Sequence, residues 1–263
     1  MKYEAGFIGA GNMGGALATA VYRSVKTLAV FDMDTKKTEA LKKTLKKVEI
    51  TDTADLAGNS RFVFLAVKPN VIVNVAAGLK GQLSADTVVV TMAAGVALSE
   101  ICEAVGSERC IRIMPNTPAA VGQGMILYCC GAQISAADEA AFLAVMKAAG
   151  VIDKLDEKLF DAAAALSGCG PAYVYMFAEA LADGAVACGV PREKAALYAA
   201  QMIQGSAAML KQSGRHPEKL KDEVCSPGGT TIEGVMALEK SGFRYAAAAA
   251  VTAAYEKTAK LKK

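Results

Sequence analysis

The sequence has no tryptophan, a single histidine (His216) and no C-x-x-C pair. With one histidine, a tetrahedral zinc site would need an unusual ligand set, so no metal is expected. The seven cysteines, Cys102, Cys110, Cys129, Cys130, Cys169, Cys188 and Cys225, are odd in number and read as reduced, mostly buried thiols. Charge of one sign is also scarce: 29 basic against 26 acidic side chains leave a net +3 without a polybasic stripe. This argues against nucleic acid or an anionic membrane surface as partner. The longest uncharged stretches, such as residues 162–178, contain Gly, Pro and Ser and fall short of a membrane span. The start carries Glu4 before its apolar run, so no targeting segment is expected and the chain reads as cytoplasmic.

What is present is a chain of 263 residues, 53% hydrophobic, able to bury a large core and long enough for two domains. Gly6-Phe7-Ile8, Leu28 to Phe31, Phe62 to Val67 and Val88 to Val90 are continuous apolar runs, as expected of parallel strands buried on both faces. Segments of helical length and spacing lie between them, so the first part reads as an α/β doubly wound sheet of Rossmann type. Further strand-like runs occur near Ile113 and at Met125 to Cys130, followed by a helix ending at Gly150. From about Asp156 the strand signal stops. Helices are expected over 158–166, 172–188, 192–212, 231–240 and from 243 on, which gives an α/β domain over 1–155 and an all-α domain over 156–263.

Gly9-Ala10-Gly11-Asn12-Met13-Gly14 is a G-x-G-x-x-G between a predicted strand and a predicted helix. Asp32 closes the second strand about 20 residues on, which completes a dinucleotide-binding fingerprint. The glycines admit a tight turn and close backbone approach, and the helix start offers N–H groups to a pyrophosphate. Asp32 would accept the adenosine ribose hydroxyls and favours NAD, whereas Lys36 and Lys37 stand close enough in sequence to meet a 2′-phosphate. NAD and NADP both stay open.

Three stretches leave strand ends, where open α/β sheets bind their ligands. They are "LAVKPN" with Lys68-Pro69, "MAAGV" with small side chains, and "MPNTP", a rigid polar loop containing Asn116. A fourth lies far downstream, where "VCSPGGTTIEG" interrupts Ala-rich helix. Thr230 or Thr231 could cap the following helix. A helix start approached by glycines and hydroxyls also suits an anion such as a carboxylate.

The segments "GFIGAGNMGGAL", "FLAVKP", "AAGV", "RIMPNTP", "ALSGCGPAYVY", "EALADGAV", "GVPREKA" and "HPEKLKDEVCSPGGTTIEGVMALEKSGFR" together resemble the pyrroline-5-carboxylate reductases from residue 6 to about 245. The long C-terminal signature is the specific part. The resemblance implies an N-terminal Rossmann-type domain and a helical C-terminal domain through which subunits interlock into dimers, assembled further into decamers in many members. It implies reduction of L-1-pyrroline-5-carboxylate to L-proline by hydride from NADH or NADPH, the last step of proline synthesis.

Carried over residue by residue, it assigns cofactor contact to Gly9, Ala10, Gly11, Asn12 and Met13, to Ala66, Val67, Lys68 and Pro69, and to Ala93 and Ala94. Gly14, Asp32 and Asn116 join them from the fingerprint and the strand-end loop. Ser226, Gly229, Thr230 and Thr231 fall on the loop that holds the substrate carboxylate, and Glu157 near an acidic position of the substrate pocket. Thr231 is the candidate hydrogen-bond partner of the imine nitrogen, and Lys68 tunes the electrostatics beside the nicotinamide. Glu223 stands where some members have an amide and receives no role.

Two other readings compete. The β-hydroxyacid dehydrogenases place a lysine after a comparable glycine turn, but "SGCGPAYVYMFAEA" has none before Glu179. A dinucleotide sensor without turnover would not need an intact hydroxyl- and glycine-rich C-terminal loop.

Overall fold

In this computed structural model, which describes residues 1–261, the chain alternates strand and helix from the start. The first half runs β1 (Tyr3–Ile8), α1 (Asn12–Tyr22), β2 (Leu28–Phe31), α2 (Thr35–Thr44), β3 (Val48–Ile50), α3 (Thr53–Asn59), β4 (Ser60–Leu65) and α4 (Pro69–Gly78). β5 (Val88–Thr91), α5 (Leu98–Val105), β6 (Cys110–Met114), β7 (Gly124–Cys130), α6 (Ala136–Met146) and β8 (Gly150–Lys154) complete one sheet. Its order is β3-β2-β1-β4-β5-β6-β7-β8. The β6–β7 pair is antiparallel, and the other neighbours are parallel. The chain reverses direction across the sheet at β1, whose neighbours are β2 and β4. The crevice beyond the C-terminal ends of these three strands is where such sheets bind nucleotides.

The continuous apolar strands divide by alternation between two cores. Phe7, Phe62, Phe64, Val88 and Val90 face one, and Ile8, Val63, Leu65 and Val89 face the other, all fully or nearly fully buried. Phe7 and Phe64 stack with ring centroids 4.4 Å apart, fixing β1 against β4. Three cysteines lie in this region as buried free thiols, Cys102, Cys110 and Cys129. Burial, with the Glu157 carboxylate as a lesser cause, pushes the Cys129 thiol up to about 12.

The remaining helices are α7 (Phe160–Ser167), α8 (Gly170–Ala187), α9 (Arg192–Ser213), α10 (Pro217–Val224), α11 (Thr230–Lys240) and α12 (Phe243–Leu261). By packing the chain divides into one unit of Met1–Cys169 with residues 254–261, and a second of Gly170–Ala253. The packing units therefore meet at residue 169, beyond the expected sequence boundary at residue 155. Phe160 is fully buried in the sheet's second core and Ala165 is 1% exposed, so α7 packs with the sheet although its sequence is helical. The end of the strand signal is not the end of the packing unit.

The second unit is held by α8 against α9 through Ala182, Ala195 and Ala199, with Leu181, Ala185, Val186 and Val190 around them. Tyr173 donates to the Ala250 carbonyl at 3.2 Å, and the Phe177 and Phe243 rings lie 5.6 Å apart. Little else apolar is covered in one copy of the chain. Tyr175, Met176, Leu197, Tyr198, Met209, Met236 and Tyr245 all stand exposed.

Candidate active site: a dinucleotide cleft and a hydroxyl-rich loop

Where β1 ends, the chain must turn sharply to enter α1. Gly9 does so at φ +106°, a conformation that side chains with a Cβ rarely adopt, and an added Cβ would sit 2.5 Å from the Ala66 carbonyl oxygen. The turn is tied on both sides, by Gly9 N–H to the Phe31 carbonyl at 2.7 Å and by Ala66 N–H to the Ile8 carbonyl at 2.8 Å. Gly11 is the N-cap of α1, and no side chain caps the helix start. A Cβ on Gly11 would meet nothing within 4 Å, so the space over the uncapped N–H groups is open. Such a bare helix start behind a glycine turn fits a pyrophosphate. Asn12 begins α1, Met13 packs against the sheet's first core, and Gly14 is buried.

Asp32 follows β2 directly, and both of its oxygens are held. Oδ2 accepts from Ala10 N–H at 2.7 Å and Oδ1 from Asp34 N–H at 2.8 Å. Its side chain is 13% exposed. Burial alone would raise its pKa. The two backbone N–H groups and Lys37 outweigh that and hold the carboxyl below the usual aspartate range. Lys37 Nζ lies 3.7 Å from Asp32 and 3.8 Å from Asp34.

These residues wall a cleft of about 380 Å³ at the ends of β1, β2 and β4, lined among others by Gly9, Gly11, Asp32, Ala66, Val67 and Lys68. Lys68 is the N-cap of α4 and Pro69 its first residue, so the proline fixes the helix start without losing a needed donor. Four lining residues were not singled out in the sequence: Met33, which is 92% exposed, Thr53, Val71 and Val75. Met33 had a signal, an apolar residue directly after the acidic end of β2. Ala93 is buried in the second core beyond β5, and Ala94 beside it is exposed.

Two expected ligand contacts are also hydrogen-bonded within the fold. Asn116 is 8% exposed. Its Nδ2 donates to the Ser167 carbonyl and its Oδ1 accepts from Met125 N–H, each at 2.9 Å, so the carboxamide pins the "MPNTP" loop to α7 and β7. Glu157, expected in the substrate pocket, accepts with Oε1 from Leu98 N–H and from Arg112 Nη1, each at 2.7 Å. Its negative charge is spent on the start of α5 and on Arg112, whose side chain is 3% exposed. Arg112 also lies 3.8 Å from Asp161 and over the Phe160 ring at 5.0 Å. The sequence reading missed Arg112. Its signal was a cation inside the strand run "CIRIM", which a buried strand tolerates only with a carboxylate partner.

In the second unit, Ser226-Pro227-Gly228-Gly229 is a β-turn closed by Gly229 N–H to the Ser226 carbonyl at 3.0 Å. Proline at its second position and Gly228 at φ +66° at its third are the type II pattern. The N-cap of α11 is Gly229, with no side-chain cap, and Thr230 is the first helical residue. The expected threonine cap is therefore absent, and the Thr230 and Thr231 hydroxyls are not committed to that bond. Ser226, Thr230 and Thr231 are exposed, and the Ser226 hydroxyl lies where a Gly229 Cβ would meet it at 2.3 Å. The sole histidine caps α10, with Nδ1 accepting from Glu218 N–H at 3.3 Å, and Glu223 pairs with Arg215. Among the described residues no group of three His, Cys, Asp or Glu side chains could hold a metal, and no helix is long and apolar enough to cross a membrane.

Comparison with known proteins fits both halves. A family model described as pyrroline-5-carboxylate reductase dimerisation matches residues 157–261, and one described as NADP oxidoreductase coenzyme F420-dependent matches residues 4–95. The pyrroline-5-carboxylate reductase of Pisum sativum is 41% identical over 263 residues, covering 99% of this chain and 96% of that protein. That of Escherichia coli K12 is 40% identical and covers 100% of each chain. The crystal structure of Plasmodium falciparum pyrroline carboxylate reductase with NADP bound superposes with a TM-score of 0.89 at 34% identity, covering 99% of this chain and 98% of that one. The chain belongs to the pyrroline-5-carboxylate reductase family.

Proposed function

We propose that this protein reduces L-1-pyrroline-5-carboxylate to L-proline with NADH or NADPH, the residues before 156 binding the dinucleotide and those from 156 on binding substrate and forming a homodimer. The observation that carries the reading is full-length likeness to pyrroline-5-carboxylate reductases at about 40% identity, together with an intact dinucleotide cleft and an uncapped, hydroxyl-flanked helix start. Assembly of the dimers into a decamer and a place in the cytoplasm belong to the same proposal.

The reduced nicotinamide supplies the hydride to the C=N carbon. The protein's own work is positioning. Gly11, Asn12 and Met13 present the start of α1 to the pyrophosphate, and Asp32 receives the adenosine ribose. Ala66, Val67, Lys68 and Pro69 form the wall toward the nicotinamide, and Lys68 places a cation on that wall. Ala93 and Ala94 supply small side chains at the neighbouring strand end.

On the substrate side, the N–H groups at the start of α11 and the hydroxyls of Ser226 and Thr230 hold the carboxylate. Gly229 as N-cap leaves those N–H groups to the ligand. Thr231 orients the imine nitrogen by a hydrogen bond. A protonated cyclic imine is already a strong hydride acceptor, so no histidine or lysine acid is required of the chain. Asn116 and Glu157 act through the loops they hold.

The test compares reduced-dinucleotide oxidation with pyrroline-5-carboxylate and with 1-pyrroline, which lacks the carboxylate. Rapid oxidation with the first and a loss of about a hundredfold or more in kcat/KM with the second is expected from losing a charge-assisted anion site. No oxidation with either contradicts the reading.

A further inference from the structure

We propose that Asp32 makes the dinucleotide site selective for NADH over NADPH. The inference rests on the reading of the cleft as the reductase's dinucleotide site and goes beyond it to the choice between the two cofactors.

The position is the first support. Asp32 follows β2 at the switch point of the sheet and lines the cleft where the adenosine ribose of a dinucleotide lies. The second is its rigidity. With Oδ2 bound to Ala10 N–H, Oδ1 to Asp34 N–H and only 13% of the side chain exposed, the carboxylate cannot swing aside to admit a larger anion. Each oxygen still has a free lone pair, so the carboxylate can accept from a ribose 2′-hydroxyl. A 2′-phosphate has no proton to donate near neutral pH and brings between one and two negative charges against it.

The third support is where the nearby cations stand. Among the described residues Lys37 is the one cation paired with this carboxylate, and it is shared between Asp32 at 3.7 Å and Asp34 at 3.8 Å. Asp34, outside the cleft lining, draws on the same ammonium, so Lys37 is not left free to meet a 2′-phosphate. Lys68 lines the same cleft but follows β4, two strands from β2 across β1, a separation of about 10 Å. Lys36 is exposed and does not line the cleft. The Plasmodium falciparum relative was crystallised with NADP, so the shared fold does not by itself impose the choice made here.

The experiment is a fluorescence titration of the full-length protein with NADH and with NADPH, without substrate, on the natural chain and on Asp32→Asn. Asparagine keeps an oxygen for Ala10 N–H and removes the charge, at the cost of the second acceptor that Asp34 N–H uses. The natural chain should bind NADH about tenfold or more tightly than NADPH, the difference expected of one like-charge contact near a protein surface. In Asp32→Asn the ratio should fall toward one, mainly through tighter NADPH binding. Equal or tighter binding of NADPH by the natural chain overturns the proposal, as does an unchanged ratio in a folded Asp32→Asn. Should Asp32→Asn not fold, titrating the natural chain with adenosine 2′,5′-bisphosphate and with adenosine 5′-monophosphate reads the same selectivity, and equal affinity overturns it. NADPH preference with turnover of pyrroline-5-carboxylate defeats the selectivity alone. Binding of neither dinucleotide defeats the reductase reading as well.

Discussion

The Asp32 carboxylate accepts the Ala10 N–H at 2.7 Å, so the acidic end of β2 and the glycine turn after β1 are one hydrogen-bonded unit. The residue proposed to read the ribose also holds the loop proposed to receive the pyrophosphate. A sequence fingerprint treats these as two separate signals.

That bond has a pH signature. Asp32 is held below the usual aspartate range when folded, so its contribution to stability is full above about 3.9, the unfolded value, and is lost as pH falls through the folded one. Thermal unfolding followed from pH 7 to pH 3 should show the natural chain more stable than Asp32→Asn at neutral pH. The gap should close below about pH 4. Asp138 and Glu139, also held low by Ser135 and Lys154 respectively, add to acid unfolding in both proteins and leave the gap between them unchanged.

Gly9→Ala and Gly11→Ala should separate folding from binding. The first forces a Cβ into φ +106° and against the Ala66 carbonyl, a strain of about 1–3 kcal/mol or more that should lower the melting temperature by several degrees. The second meets no protein atom, so stability should hold while the methyl intrudes on the open space over α1. Calorimetry beside a dinucleotide titration checks both, with about tenfold weaker binding expected for Gly11→Ala.

Arg112 and Glu157 make a third test. Removing Arg112 leaves two carboxylates, Glu157 and Asp161, without their buried cation, so Arg112→Ala should cost about 3–5 kcal/mol in denaturant unfolding. Glu157→Gln keeps an acceptor for Leu98 N–H and should cost far less than Glu157→Ala. If Glu157→Ala instead keeps its stability and loses only substrate affinity, the carboxylate serves the ligand rather than the fold.

Legibility followed chain-local physics. β1, β2, β4 and β5 stood out because strands buried on both faces are unbroken apolar runs, and the glycine fingerprint is written in consecutive residues. β3 is three residues after a lysine-rich helix, and β8, "GVIDK", is an edge strand with exposed Val151, Asp153 and Lys154, so neither carries that run. α10 begins at His216-Pro217 and is largely charged, which hid it as loop. The roles of Asn116 and Glu157 depend on Ser167, Met125, Leu98 and Arg112, partners that only tertiary structure brings to them.

The helical unit buries only alanines fully, while seven large apolar side chains named above stand exposed. Such a surface is covered in solution by a second copy, as the match to a dimerisation family model supports. Light scattering at micromolar concentration should give a dimer or a multiple of it. A fully active monomer would contradict this.

The most direct test of the central claim is to count product. The purified protein is given pyrroline-5-carboxylate and a limiting amount of reduced dinucleotide, and the amino acid formed is identified by chiral chromatography. One L-proline per dinucleotide oxidised is the predicted result, with Thr231→Ala forming it more slowly at the same stoichiometry. A dinucleotide that binds the cleft but stays reduced in the presence of the imine would contradict the account.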